Sequence, residues 1–226
     1  MVYRAEIGAW VARRLSRMSD VAKLPATNLD IFLARDFLTP RECAALIKMI
    51  DADRYPSGIL SDNPEPGFRT SESCNMDPNH PLIQTVEDKL HALMGIHRAH
   101  GETIQGQRYA PGQEFKTHHD FFYPNQAYWQ HEEQTGGQRT WTAMVFLNQP
   151  EEGGHTLFPE AGVRVAPRTG NLLTWNNLDS EGEMNMFSAH AGTPVIKGLK
   201  HVITKWYRER PWGVRPTEAA PAAEIK

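Results

Sequence analysis

Cysteine is scarce. Among 226 residues only Cys43 and Cys74 carry a thiol, too few for a disulfide framework. Cys43 falls on the apolar stripe of a predicted helix and reads as a buried free thiol, which fits a reducing, cytoplasmic setting. Long hydrophobic runs are also missing. The longest apolar stretch, Trp141 to Leu147, is far short of the ~20 residues that a membrane-spanning helix needs. The N-terminal residues lack the apolar core of a secretion signal, so neither a signal peptide nor a membrane span is expected. Charge of one sign is not in excess: 24 Lys and Arg face 27 Asp and Glu, a formal net charge of −3. No chain-wide field exists to gather phosphate backbones, and no nucleic-acid partner is expected. No glycine cluster is followed by the Lys and Ser or Thr of a phosphate loop, so nucleotide binding is not indicated.

What remains is a chain that begins helical and becomes β. Residues 5 to 18 set Ile7, Trp10, Val11, Leu15 and Met18 at helical spacing, a helix expected to dock on the domain. Asp30 to Leu38 reads as a strand. Thr39-Pro40-Arg41-Glu42 is a capping box with proline at the first helical position, opening a helix to about Asp51. A second core-facing helix runs from Pro81 to Met94, and Gly95 ends it. Beyond Thr103 the period shortens to that of strands: Ile104 to Tyr109, Glu114 to Phe121, Thr140 to Leu147, His155 to Phe158, Val163 to Ala166, Leu172 to Trp175, Met184 to His190 and Val202 to Tyr207. Helices followed by about eight short strands predict an α+β fold with a sandwich or jelly roll as its body. The expected organisation is an amphipathic helix and linker over 1–28, a domain over 29–213 and a tail over 214–226 rich in Ala, Pro and Glu.

Ten histidines are present. His80, His91, His97 and His100 cluster around the second core helix and its exit, where polar surface residues are expected, and no cysteine or acid lies at zinc-ligand spacing. His118-His119-Asp120 differs. Strand alternation puts His118 and Asp120 on one face and His119 on the other. By itself a His-x-Asp on a polar strand face is an ordinary solvated face. His190, ending a later strand, adds the second imidazole. Two histidines and one carboxylate on one face of an octahedron leave three positions open, the arrangement of non-haem Fe(II) oxygen chemistry. Two open positions suit a chelating 2-oxo acid and the third suits dioxygen. A bound 2-oxoglutarate needs a cation for its far carboxylate, and Lys200 follows His190 by ten residues across the turn at Lys197-Gly198.

These residues resemble the prolyl 4-hydroxylase type of 2-oxoglutarate- and Fe(II)-dependent dioxygenases over about Arg69 to Trp206. The matching motifs, in order, are Arg69-Thr70-Ser71, Arg108 to Gln113, His118-His119-Asp120, Gly136 to Arg139, Phe146-Leu147-Asn148, Gly153 to Pro159, Pro167 to Gly170, His190 to Val195, Gly198-Leu199-Lys200 and Lys205-Trp206. The resemblance implies a double-stranded β-helix (a cupin-like jelly roll) with the N-terminal helices packed on its major sheet. It implies His118, Asp120 and His190 as Fe(II) ligands, Lys200 with Tyr109 and Thr156 as the 2-oxoglutarate contacts, and Arg69 beside the substrate groove. Dioxygen is the implied co-substrate and ascorbate an accessory reductant. Hydroxylation of peptidyl proline at carbon 4 is the first expectation, and another protein side chain or a small amino-acid-like metabolite is the alternative. A zinc hydrolase using the same three ligands, or a cupin-like module without turnover, are the rivals from other classes. Trp175 and Trp206 are expected to pack. His155 and His201 depart from the family pattern. The aromatic segment Phe121 to Gln138, with Phe122, Tyr123, Tyr128 and Trp129, reads as a substrate-covering loop, with Tyr123 and Trp129 as candidate substrate contacts.

Overall fold

Eight strands hydrogen-bond into the larger sheet of the computed structural model, which describes residues 2–61 and 65–213; the expected tail over 214–226 lies outside the described residues. In chain order the first elements are α1 (Val2–Leu15), β1 (Val21–Lys23), β2 (Ile31–Ala34), α2 (Pro40–Ala52), β3 (Tyr55–Pro56), β4 (Glu72–Asn75) and α3 (Pro81–Met94). There follow β5 (Gln105–Tyr109), β6 (Phe115–His118), α4 (Trp129–Gln134), β7 (Arg139–Phe146), β8 (Glu152–Gly153), β9 (Thr156–Phe158) and β10 (Val163–Val165). The last are β11 (Leu172–Asn176), β12 (His190–Gly192), β13 (Val195–Lys197) and β14 (Lys200–Arg208). The larger sheet has the order β1-β2-β11-β7-β14-β5-β4-β3, and a four-stranded sheet has the order β10-β9-β12-β6. A short β8–β13 pair stands beside them.

The larger sheet is buried on both faces because its central strands alternate between two cores. Trp141, Ala143 and Val145 of β7, with Ile203 and Tyr207 of β14, join the core built with Val11, Leu46, Ile50, Val86 and Leu90 of the helices. Met144 and Phe146 of β7, with Val202 of β14, join the core that holds Phe158, Val163 and Val165 of the smaller sheet. A strand with two apolar faces reads as a continuous run, which is why Trp141 to Leu147 is the most hydrophobic stretch. This is the jelly roll, with helices covering one face of the larger sheet.

The helix signals translate directly. Thr39 and Glu42 form the reciprocal capping box, with the Glu42 amide donating to Thr39 Oγ1 at 3.2 Å. Gly95 closes α3 in the left-handed conformation, at φ 74°. Cys43 and Cys74 are buried and unpaired, and burial pushes both thiols up.

Several expectations need correction. The first helix begins and ends about three residues earlier than its apolar spacing indicates, and the segment after it supplies the edge strand β1 rather than linker alone. Strands β4, β8 and β13 carry no two-residue alternation to announce them. Met184 to His190 is not a strand: Asn185 accepts from the Phe187 amide at 3.0 Å and caps a 3₁₀ turn over Met186–Ser188, so β12 starts at His190. His100 is buried rather than on the surface, its Nδ1 3.2 Å from the Arg208 carbonyl, and burial pulls its pKa down. His80 and His97 accept from backbone amides at two helix starts.

Candidate active site

The smaller sheet supplies two imidazoles side by side. His118 ends β6 and His190 begins β12, and the two are register partners across that antiparallel pair. Their ring centroids lie 4.3 Å apart. Asp120 lies just past the end of β6, so the expectation that it belongs to the strand is corrected by two residues. Its carboxylate still turns to the same side: Oδ1 is 3.8 Å from His118 Nε2 and Oδ2 is 3.7 Å from His190 Nε2. One ligand atom from each of the three lies within 4.8 Å of the others. His119 points elsewhere, with Nε2 3.2 Å from the Met186 carbonyl and Nδ1 accepting from the Tyr123 hydroxyl at 2.8 Å.

Each member is oriented by a neighbour. The His118 Nδ1 meets the Lys116 carbonyl at 2.8 Å and the His190 Nδ1 meets the Ser188 carbonyl at 2.9 Å. Both rings therefore donate from Nδ1 and turn the Nε2 lone pair inward, as metal-binding imidazoles do. Phe115 stacks on His118 at 3.5 Å, and Trp175 packs edge-on against His190 at 4.7 Å. Burial and the neighbouring His190 hold the His118 imidazole neutral, down to about 3. Burial alone would raise the Asp120 carboxyl, but His190, His118, Arg139 and a hydrogen bond from Thr142 hold it below the usual range. Two imidazoles that turn Nε2 to one point, together with an ionised carboxylate, form the donor set a divalent ion requires.

A cavity opens beside this cluster between the two sheets, lined by Tyr109, Thr156, Gly192, Lys200, Thr204 and Trp206 among others. Lys200 is 2% exposed. Burial alone pulls its ammonium down to about 8, and no carboxylate among the described residues offsets that cost. Its Nζ rests against the Tyr109 ring at 5.1 Å and the Phe146 ring at 5.8 Å. Thr156 Oγ1 and the Trp206 indole N–H are buried without hydrogen-bond partners. A buried cation, an unused hydroxyl and an unused N–H around one space suit a carboxylate ligand. Trp175 and Trp206 thus line the cavity as well as packing.

Outside the cluster runs a groove of about 830 Å³. Arg69, Phe115, Phe121, Tyr123, Arg139 and Trp212 are among its walls. Arg69 has no carboxylate partner among the described residues: it donates to Ser71, Ser73, Gln105 and the Gly58 carbonyl, and lies over the Phe115 ring at 4.7 Å. Tyr123 reaches the groove, whereas Trp129 begins α4 and is not part of its wall. The segment from Phe121 to Gln138 is tied at its base rather than loose. Buried Gln138 accepts from the Phe122 amide at 2.7 Å and donates to the Phe122 carbonyl at 2.8 Å.

Sequence reasoning misses one charged network entirely. Glu102, after the 3₁₀ turn at 98–100, accepts from Arg139 at 2.6 and 2.7 Å and from Arg208 at 2.6 Å. Arg208 also pairs with Glu132 of α4 and donates to the Gly137 carbonyl. The Arg139 guanidinium is sandwiched between Phe122 and Trp206 at 4.7 and 4.3 Å. Glu102 stays ionised because the two guanidiniums outweigh its burial. The departures from the family pattern sit apart from the cavity. His201 turns toward α2, contacting Asp51 at 3.1 Å and Asn148 at 3.2 Å, and His155 meets Arg164 at 3.3 Å.

The sequence model of the 2OG-Fe(II) oxygenase superfamily matches residues 104–208, which hold His118, Asp120, His190 and Lys200. Prolyl 4-hydroxylase 2 of Arabidopsis thaliana is 30% identical over 219 residues, covering 84% of this chain and 70% of the relative. The chain belongs to the prolyl 4-hydroxylase family. It is accordingly an oxidoreductase, an Fe(II)- and 2-oxoglutarate-dependent dioxygenase. Among solved structures, the viral collagen prolyl hydroxylase of Paramecium Bursaria Chlorella virus-1 in its 2-oxoglutarate complex is similar at a TM-score of 0.63 and 27% identity. That match covers 79% of this chain and 95% of the other. A prolyl-4-hydroxylase of Pseudomonas putida shares the fold at a TM-score of 0.58 and 20% identity, over 88% of this chain and 99% of the other. This member of the family keeps a three-residue cluster between its cavity and its groove, so a ligand in either space reaches it.

Proposed function

We propose that this dioxygenase hydroxylates peptidyl proline at carbon 4. When bound, Fe(II) with 2-oxoglutarate and dioxygen supplies the oxidising chemistry, and 2-oxoglutarate leaves as succinate and carbon dioxide. In this reading His118, Asp120 and His190 hold the metal through Nε2, a carboxylate oxygen and Nε2. Lys200 pairs with the far carboxylate of 2-oxoglutarate, and Thr156 and Tyr109 border the same carboxylate. The observation that carries the reading is the pairing of the three-ligand cluster with a buried ammonium that has no carboxylate partner among the described residues.

The groove supports a peptide as the second substrate. Its volume of about 830 Å³ has room for a short peptide segment, and Phe115, Phe121 and Tyr123 make part of its wall aromatic. Arg69 brings to the groove a guanidinium with no carboxylate partner among the described residues, and Tyr123 a ring at the groove wall. A zinc hydrolase has no use for a buried lysine beside its metal, so this rival is the weaker reading. A cytoplasmic setting belongs to the same proposal, supported by the two buried, unpaired thiols, and ascorbate enters it as an accessory reductant.

Anaerobic titration of the chain with Fe(II) and 2-oxoglutarate tests the cofactor half. A visible charge-transfer band that disappears in His190→Ala is expected, and no band would overturn the reading. Incubation with proline-containing peptides and mass analysis tests the substrate half. A gain of one oxygen on proline is expected, while 2-oxoglutarate turnover with no modified peptide would move the substrate to another side chain or a small molecule.

A further inference from the structure

Gly192 stands where a side chain would enter the cavity. It follows His190 by two residues on β12, so strand alternation aims its Cα substituent to the same side as the His190 ring. Its register partners are Thr156 on β9 and Phe115 on β6, both cavity residues. The usual reasons for glycine do not apply. Its φ is not in the left-handed region, unlike twelve other glycines of the described chain. Nor does a neighbour crowd it: a methyl carbon built there would sit 3.8 Å from Lys200 Nζ, 3.8 Å from Tyr109 Cε1 and 3.8 Å from the Phe115 amide nitrogen, ordinary contact distances. By contrast, a carbon added at Gly106 would meet Ile50 at 2.5 Å, where packing accounts for the glycine. An alanine at 192 would therefore be accepted by the protein itself while filling space between the cluster and the ammonium.

We infer that Gly192 sets the size limit for the arm of the 2-oxo acid, leaving room for the carbon chain that joins the chelating end to the carboxylate paired with Lys200. The inference rests on the proposed cofactor geometry and adds a specificity-determining position to it. Neither the metal ligands nor the cation would move on substitution. Only the space between them would shrink, so a ligand with an arm is penalised and one without an arm is not.

Calorimetric titration of the Fe(II)-loaded chain under anaerobic conditions tests this, with 2-oxoglutarate and pyruvate as the two probes. In Gly192→Ala the melting temperature and Fe(II) affinity should match the parent, as the free space around the built carbon requires. The affinity for 2-oxoglutarate should fall roughly tenfold to hundredfold, the usual effect of overfilling a packed site by a methyl group. Pyruvate, which chelates but has no arm, should change less than about threefold by the same argument. Gly192→Ser should repeat the pattern. Equal loss for both probes, unchanged 2-oxoglutarate binding, or a fall in melting temperature or metal affinity would each overturn the inference. A parent protein that binds no 2-oxoglutarate would instead overturn the cofactor reading beneath it.

Discussion

Thr142 donates its hydroxyl to Oδ2 of Asp120 at 2.8 Å, joining the centre of the larger sheet to the carboxylate between the two histidines. Asn177 in turn donates to Thr142 Oγ1 at 2.9 Å, so the hydroxyl has one orientation available. The Asp120 carboxylate is thereby fixed in rotation before any ion arrives. Thr142→Val keeps the shape and removes the donor. The Fe(II) affinity should drop about tenfold to hundredfold, the range seen when a residue supporting a metal ligand is lost. Equilibrium titration of the metal checks it, and an affinity within twofold of the parent would sink the role assigned to Thr142.

Lys200→Ala removes the cation of the cavity and leaves the three ligands in place. The affinity for 2-oxoglutarate should fall roughly tenfold to hundredfold, since a charge-assisted contact contributes ~1.5 to 3 kcal/mol. Metal binding without 2-oxoglutarate should not change. If the 2-oxoglutarate requirement is unaltered, another cation serves the far carboxylate.

The same lysine predicts a pH dependence of the ligand-free protein. Its ammonium is lowered from 10.5 to about 8 by burial. Between those values the unfolded chain holds a proton that the folded chain has released, so stability rises as pH increases through that window. At pH 7 both states are protonated, and the whole cost of burying the charge is present. Urea unfolding of the parent and of Lys200→Met from pH 7 to 10.5 should show the parent gaining stability relative to the variant. Parallel curves would contradict the burial of an unpaired ammonium.

Glu102 sits between two guanidiniums and is itself largely buried. Glu102→Ala leaves the buried Arg139 without its acid partner and Arg208 with Glu132 alone, which should cost about 3 to 5 kcal/mol of folding stability. Chemical denaturation measures this. A loss below about 1 kcal/mol, the range of exposed pairs, would mean that water reaches the network freely.

How much of this is legible in the sequence depends on whether the signal is local. The helices α2 and α3 declare themselves through Thr39, Pro40, Glu42 and Gly95, whose roles are set by residues within one turn. His118 and Asp120 are legible because two residues of extended chain put them on one side, even though the strand itself stops at His118. The Glu102–Arg139–Arg208 network is not legible, because its members are 37 and 106 residues from Glu102 and each alone looks like a surface charge. Strand β4 hides for another reason. Its Ser73 and Cys74 are both buried, so it shows no polar-apolar alternation. Asn185 is a local signal that strand periodicity overrides on paper and that wins in the fold, turning Met186–Ser188 into a 3₁₀ cap.

Lys200 and His201 are neighbours at the start of β14 that face opposite cores, one toward the cavity and one toward α2 and Asp51. Because the strand period is two, a shift of one residue would exchange them. The tolerance of this protein to insertions is therefore uneven along its length. One residue added between Gly198 and Lys200 would retain every functional side chain in the sequence, yet would hand the cavity a histidine and send the ammonium to the helix layer. Turn length at that point is as much a determinant of co-substrate binding as the lysine it delivers.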